Sequence, residues 1–230
     1  MLWLWGNYEY PVSVRERGRR LTIKLLTCLF FIFSSKAHDL REFWRIEVIR
    51  KDKFSFRRLL REKKNRRRNF LFWWRLASEM NEHGNKCQKR VAESLSNMIK
   101  SKFAADIDLE ARIGPGLHIP HHTGVVITYS ARIGANFTIR QNTTIGVVQG
   151  MTDNDFIRIG DNVDIGANSC LVGSITIGDN VVIGAMSFVN KDIPSDTIFI
   201  TRKQSVMTPR GNDFVPMLPR TSHKRQARSK

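Results

Sequence analysis

From Ile159 onward a large apolar residue stands at every sixth position: Ile159, Ile165, Leu171, Ile177, Ile183 and Val189. Glycine follows four of them directly, as Gly160, Gly166, Gly178 and Gly184. The same beat runs through Ile127, Ile133, Ile139 and Ile145, and earlier through Ile107, Ile113 and Ile119. A period of six fits neither a helix face nor a simple alternating strand. It predicts a β-helix of hexapeptide repeats, in which three short strands make one triangular coil and coils stack at strand spacing, roughly 4.8 Å. The apolar residue points into the prism, and the small residue after it lets the chain pass the corner. An antiparallel sandwich would vary its strand lengths and separate them by irregular turns.

The repeat spans residues 106–201 and is broken twice. One break is a two-residue slip between Ile119 and Ile127, across Pro120-His121-His122-Thr123-Gly124. The other is the gap of fourteen from Ile145 to Ile159, two residues more than two repeats. Loops set into a rigid solenoid tend to carry function. Ahead of the repeat, Phe72, Leu76 and Met80 recur every four residues, as do Val91, Leu95 and Ile99, with a turn at His83-Gly84-Asn85 between them. This predicts a helical hairpin over residues 66–105, with Gly84 as a C-cap, covering the open end of the β-helix. Residues 38–64 read as a charged helix with a modest apolar face. The expected organisation is a basic extension over 1–65, the hairpin, the β-helix, and a flexible basic tail over 202–230.

Charge sharpens that division. The chain of 230 residues carries a net +17. Residues 1–105 hold 25 Lys/Arg against 10 Asp/Glu, residues 106–201 hold 5 against 10, and residues 202–230 hold 8 against 1. The repeat is mildly acidic and both flanks are strongly basic. The run from Arg57 to Arg68 lacks a recognised nucleic-acid motif, so nucleic acid is not expected as a partner. Tryptophan and phenylalanine interleaved nearby make an anionic membrane surface the partner to consider. The apolar stretch Leu25 to Phe33 follows several arginines, as in a targeting signal or interfacial helix, but is too short to span a bilayer. Cys28, Cys87 and Cys170 show neither metal nor disulfide spacing and fit a reducing cytoplasm, with the protein peripheral to the inner face of a membrane.

The first interruption supplies chemistry. A hydroxyl that attacks an acyl carbonyl must lose its proton, and histidine titrates near neutrality. A carboxylate on the other ring nitrogen fixes the tautomer and stabilises the imidazolium. His118, His121 and His122 stand in the loop, and Asp106 and Asp108 stand just before the first coil. Fifteen residues separate Asp106 from His121, slightly less than one eighteen-residue coil, which permits the pair.

At these residues the chain resembles the serine acetyltransferase family of hexapeptide acyltransferases. The resemblance rests on Asp106-Ile107, Ile113-Gly114 and His121-His122-Thr123-Gly124-Val125-Val126-Ile127, extended by Thr144-Ile145-Gly146, Ile165-Gly166-Ala167, Ile183-Gly184-Ala185 and Lys191-Asp192-Ile193-Pro194. It covers residues 70–200 and implies a mainly β protein, a left-handed parallel β-helix preceded by helices, against the usual right-handed crossover. It also implies trimers or dimers of trimers, with acetyl-CoA bound along the coils between subunits as co-substrate and no metal. Carried over by position, His121 matches the catalytic histidine and Asp106 its carboxylate partner. Ala167 and Ala185 match backbone positions lining the cofactor tunnel, and Lys191 falls in a motif near the cofactor phosphates.

Three departures stand out. Pro120 replaces the aspartate that usually precedes the histidine. Asp155-Phe156 replaces an Arg-His pair that holds the amino acid's carboxylate. Ile200-Thr201-Arg202-Lys203 replaces a Gly-x-Pro-Ala segment. An acidic residue repels a carboxylate, and losing a charge-assisted pair costs a few kcal/mol. Asp153-Asn154-Asp155 are suited instead to sugar hydroxyls. The expected function is therefore an acetyl-CoA-dependent O-acetyltransferase acting on a sugar or surface polysaccharide, with Asp155 and Phe156 at the acceptor. L-serine is the alternative acceptor, and a non-catalytic β-helix scaffold is the alternative of a different class. A zinc enzyme on this fold needs histidines spread across coils, whereas here they bunch at 118–122.

Overall fold

A computed structural model describes residues 14–147 and 155–202. Thirteen short strands wind into a three-faced prism, and every pairing is parallel. The first face stacks β1 (Asp106–Ile107), β3 (Val126–Ile127), β6 (Thr144–Gly146), β9 (Cys170–Val172) and β12 (Phe188–Val189). The second stacks β2 (Arg112–Ile113), β4 (Ala131–Ile133), β7 (Ile157–Ile159) and β10 (Thr176–Ile177). The third stacks β5 (Thr138–Ile139), β8 (Asp164–Ile165), β11 (Val182–Ile183) and β13 (Ile198–Phe199). Each residue of the sixfold series from Ile107 to Val189 is buried inside the prism.

Register fixes the lengths of the interruptions. Asp106 pairs with Val126, so the first coil is two residues longer than the eighteen-residue coil that pairs Val126 with Thr144. Thr144 pairs with Cys170, making the third coil twenty-six residues long. The gap from Ile145 to Ile159 is therefore one repeat plus eight residues, not two repeats plus two. Periodicity counts apolar residues alone, and both divisions place Ile159 correctly.

The glycines after the apolar residues have a different reason from corner freedom. None of Gly114, Gly134, Gly160, Gly166, Gly178 or Gly184 has a positive φ. A Cβ added at Gly114 would sit 2.7 Å from the backbone of Gly134, and one at Gly166 would sit 2.4 Å from the backbone nitrogen of Ala185. Coil-to-coil closeness excludes a side chain there. Five of the left-handed turns fall on asparagines instead, whose short polar side chains tolerate that conformation, and two more on Met186 and Asp196. Asn136, Asn162, Asn180 and Asp196 have φ of 55–58° and stack on one edge. Each amide donates to the next side chain at 2.9–3.0 Å.

Among the described residues five α-helices precede the prism: α1 (Val14–Ile32), α2 (His38–Phe43), α3 (Phe56–Glu62), α4 (Arg66–His83) and α5 (Lys86–Phe103). The hairpin of α4 and α5 follows the apolar spacing. Gly84 ends α4, and Asn85 with Gln88 forms a reciprocal capping box on α5. The helix expected over 38–64 is instead divided. A π-helical turn, Trp44–Ile49, continues α2 and stops at Arg50, whose φ is 55°. That turn carries Glu47 into the interior. Its carboxylate accepts from Arg75 Nη2 at 2.6 Å and Nε at 3.0 Å, and from the backbone N–H groups of Gly116 and Leu117. Arg75 also donates to the carbonyls of Ile113 and Gly114 at 2.7 Å each. Trp74 Nε1 donates to the Ile107 carbonyl at 3.3 Å. These bonds seat α4 on the first coil, and one continuous apolar cluster runs from Cys28 through the helices to Ile193.

Candidate active site

The edges of the prism place the residues singled out by the sequence. Chain leaving the third face for the first makes one edge, which carries the loop after His118, then Ala167, then Ala185. Chain leaving the first face for the second makes another, which carries Asp155-Phe156 at the end of the eight-residue insertion, and Lys191. Asp106 opens β1 on the first face. A single chain therefore brings His121, Ala167 and Ala185 to one edge and Asp155, Phe156 and Lys191 to the other. Asp153 and Asn154 of the acidic loop lie outside the described residues, as does the basic tail beyond Arg202.

The loop itself is held from both ends. Gly124 N–H donates to the Ala104 carbonyl at 2.7 Å, and Asp106 N–H donates to Val125 at 2.8 Å. His122 is buried, its ring stacked on Phe70 and edge-on to Phe103. Its Nδ1 lies 2.9 Å from the Phe103 carbonyl, so Nδ1 carries the proton. Burial lowers its pKa, which keeps the ring neutral. His122 is an anchor that pins the loop to α4 and α5, and neither period nor motif reveals it.

Pinning His122 inward turns its neighbour outward. His121 is exposed and lines a cleft of about 290 Å³ with Asn65, Arg66, Arg67, Pro120 and Thr123. No hydrogen bond joins His121 to another described residue. Asp106 is likewise exposed, and its carboxylate pairs with Lys100 Nζ at 2.7 Å rather than with an imidazole. The coil here is two residues long of eighteen, so His121 ends five positions short of the residue that stacks on Asp106. Arg66 and Arg67 form no ion pair among the described residues and give the cleft a positive wall. Arg67 also acts on His118 from nearby: burial, then Arg50, Arg140 and Arg67, lower the pKa of that half-buried ring.

At the other edge the Phe156 ring is flanked by the guanidinium groups of Arg132 and Arg158, 4.5 Å and 5.3 Å from its centroid. Arg112, Arg132 and Arg158 are register partners on successive coils of the second face. These contacts hold Phe156 against the second face, across its own coil and the one before it. Ala167 is half-buried, and Ala185 and Lys191 are exposed. Among the described residues no group of three His, Cys, Asp or Glu side chains is arranged to hold a metal ion.

Residues 156–191 match the family model described as a hexapeptide repeat of succinyl-transferase. Chloroplastic serine acetyltransferase 1 of Arabidopsis thaliana is 40% identical over 135 residues, 57% of this chain and 43% of the relative. The crystal structure of serine acetyltransferase isoform 3 from Entamoeba histolytica, in complex with cysteine, superposes with a TM-score of 0.63 at 26% identity, covering 84% of this chain and 68% of that one. The serine complex of the Neisseria gonorrhoeae serine acetyltransferase gives 0.61 at 28%, covering 86% and 78%. This chain spans under half the length of the plant relative. The architecture is the left-handed parallel β-helix with a helical region ahead of it.

Proposed function

We propose, from the premise that the chain is a serine acetyltransferase-like hexapeptide-repeat acyltransferase, that it moves an acetyl group from acetyl-CoA to a hydroxyl with His121 as general base. The observation that carries this reading is the exposed His121 in its cleft, on the same prism edge as Ala167 and Ala185. Those alanines stand two and three coils further along, roughly 10 and 14 Å at strand spacing. An extended thioester arm laid along that edge would bring its acyl carbon to the histidine. His121 removes the proton as the acceptor oxygen bonds to the carbonyl carbon. The carbon–sulfur bond then breaks, and the thiolate leaves and takes up the proton. Asp106 is the positioning carboxylate of this reading, and it must leave Lys100 to reach the imidazole.

The relatives favour L-serine as acceptor over the sugar that the departures first suggested. Arg66 and Arg67 support the same choice. They put unpaired positive charge beside His121, where a carboxylate is otherwise left without its usual Arg-His pair. The sugar reading keeps one observation in its favour, an aromatic ring, Phe156, held by two guanidinium groups at the neighbouring edge. Lys191 is the residue of this edge assigned to the cofactor phosphates. Because the two edges are separate in one chain, a complete site requires a second subunit, in keeping with a trimer or a dimer of trimers.

The test is release of CoA from acetyl-CoA with serine, sugars and nucleotide-sugars offered separately. His121→Ala should lower turnover roughly 10²–10⁴-fold with cofactor affinity nearly unchanged. Unaltered turnover in that variant removes His121 from the mechanism, and no acceptor-stimulated release from any compound supports a scaffold instead.

A further inference from the structure

The C-terminal half of helix α1 is apolar on both sides. Its inner side, Cys28, Phe31 and Ile32, is buried, and Lys24 Nζ bonds Ser94 Oγ of α5 at 2.6 Å. The outer side carries Leu26, Leu29, Phe30 and Phe33, whose spacing places them on one stripe, with Leu21 and Leu25 along its margin. Phe30 is 74% exposed and Phe33 66%. A helix that is hydrophobic all round is ordinarily covered all round. The stripe continues into α3, because the Phe33 ring lies 5.5 Å from that of Phe56, which is itself exposed. Arg57 and Arg58 follow Phe56 and are exposed.

Charge decides what covers the stripe. Residues 14–68 carry 19 Lys/Arg against 6 Asp/Glu, and residues 21–33 contain no acidic residue at all. Joining two copies through this face would bring two strongly basic regions together, which repel. An anionic lipid surface offers apolar depth for the stripe and negative charge for its surroundings. On such a surface the helix would lie flat rather than cross. No single described helix is long and apolar enough to span, and the segment after α1 bends away by 74°. Leu40, Trp44, Val48 and Ile49 of that segment are committed to the protein core.

We infer that the outer face of α1, with Phe56 and the arginines after it, docks the protein on an anionic membrane surface. Flotation of the full chain with phosphatidylcholine vesicles, with and without about 30% phosphatidylglycerol, tests this. Bound protein should rise on the order of tenfold with the anionic lipid and fall several-fold as salt is raised to about 0.3 M. Leu26→Gln with Phe30→Gln should abolish flotation while circular dichroism and oligomer size stay as in the parent. Arg57→Glu with Arg58→Glu should reduce it even if the apolar pair perturbs folding. No flotation of the parent, equal binding to both vesicles, or a smaller oligomer in the apolar variant each overturns the inference, the last in favour of a second copy.

Discussion

Replacing Glu47 by alanine tests how the helices hold the first coil. The carboxylate is fully buried, as is Arg75 to within a few per cent, and the pair is doubly bonded at 2.6 and 3.0 Å. Removing one partner of such a pair leaves an uncompensated buried charge and costs about 3–5 kcal/mol. Two further donors, Gly116 and Leu117 N–H, lose their acceptor, each a penalty of about 1–3 kcal/mol unless water enters. Arg75 keeps the Ile113 and Gly114 carbonyls and its stacking on Phe43, 3.9 Å from the ring centroid, which limits the loss. The expected cost is about 4 kcal/mol, a large part of the roughly 5–15 kcal/mol that domains possess.

Urea unfolding followed by circular dichroism measures it. Hydrogen exchange at Gly116 and Leu117 should accelerate beyond the global change, because those amides lead directly into the His118–His121 segment. Glu47→Met combined with Arg75→Met should cost less than the sum of the single changes, since an apolar pair leaves no stranded charge. A cost below about 1 kcal/mol for Glu47→Ala, or strict additivity in the cycle, would refute the view that this pair joins cap to coil.

Glu79 is buried, its Oε2 accepts no hydrogen bond and lies 3.8 Å from His83 Nε2, and burial raises its pKa to about 7, against the opposing pull of His83 and Arg75. The folded state therefore binds this proton more tightly than the unfolded chain, so the contribution to stability is complete below about pH 4.5 and is lost as pH rises through about 7. Glu79→Gln should gain up to about 3 kcal/mol over the parent between pH 5 and 8, and an advantage that does not vary with pH contradicts this. Gly166→Ala should destabilise by about 1–3 kcal/mol, since its Cβ meets the Ala185 backbone, and a neutral thermal shift would show that the coils can separate. If Arg67 holds the acceptor's carboxylate, Arg67→Ala should raise the KM for serine about tenfold or more and leave that for acetyl-CoA in place; equal effects on both would remove the assignment.

The inward row of the prism was legible because burial repeats with the coil: Ile107 to Val189 required nothing beyond the sequence. The asparagine edge is legible too, in Gly-Ala-Asn or Gly-Asp-Asn at 134–136, 160–162 and 178–180, and the same triplet at 166–168 belongs to the histidine edge, where Asn142 stacks on Asn168. Other features had no such handle. Glu47 and Arg75 are 28 residues apart and meet only because a π-helical turn swings one toward the other. The length of the second insertion depends on strand register, which apolar spacing alone leaves ambiguous. His121 and His122 are chemically identical in the sequence. The aromatic cage of Phe70 and Phe103 makes one a neutral anchor and leaves the other facing the cleft.

That division of labour bears on how a site can arise here. A β-helix offers long, straight edges and almost no concavity, so a pocket requires something set against an edge. On the histidine edge the cap supplies one wall, through Asn65, Arg66 and Arg67 at the start of α4. Along Ala167 and Ala185 the cap no longer reaches, and the edge lies open unless another chain closes it. The other edge carries the eight-residue insertion, with Phe156 at its end in contact with two arginines and Lys191 two coils further on. An edge that lacks a wall and an edge that carries extra chain, separate in a single chain, would complete each other in the proposed threefold arrangement, each insertion serving the next subunit's histidine. Activity would then depend on assembly even if every subunit were fully folded, and dilution below the dissociation constant of the oligomer should abolish turnover before it unfolds the β-helix.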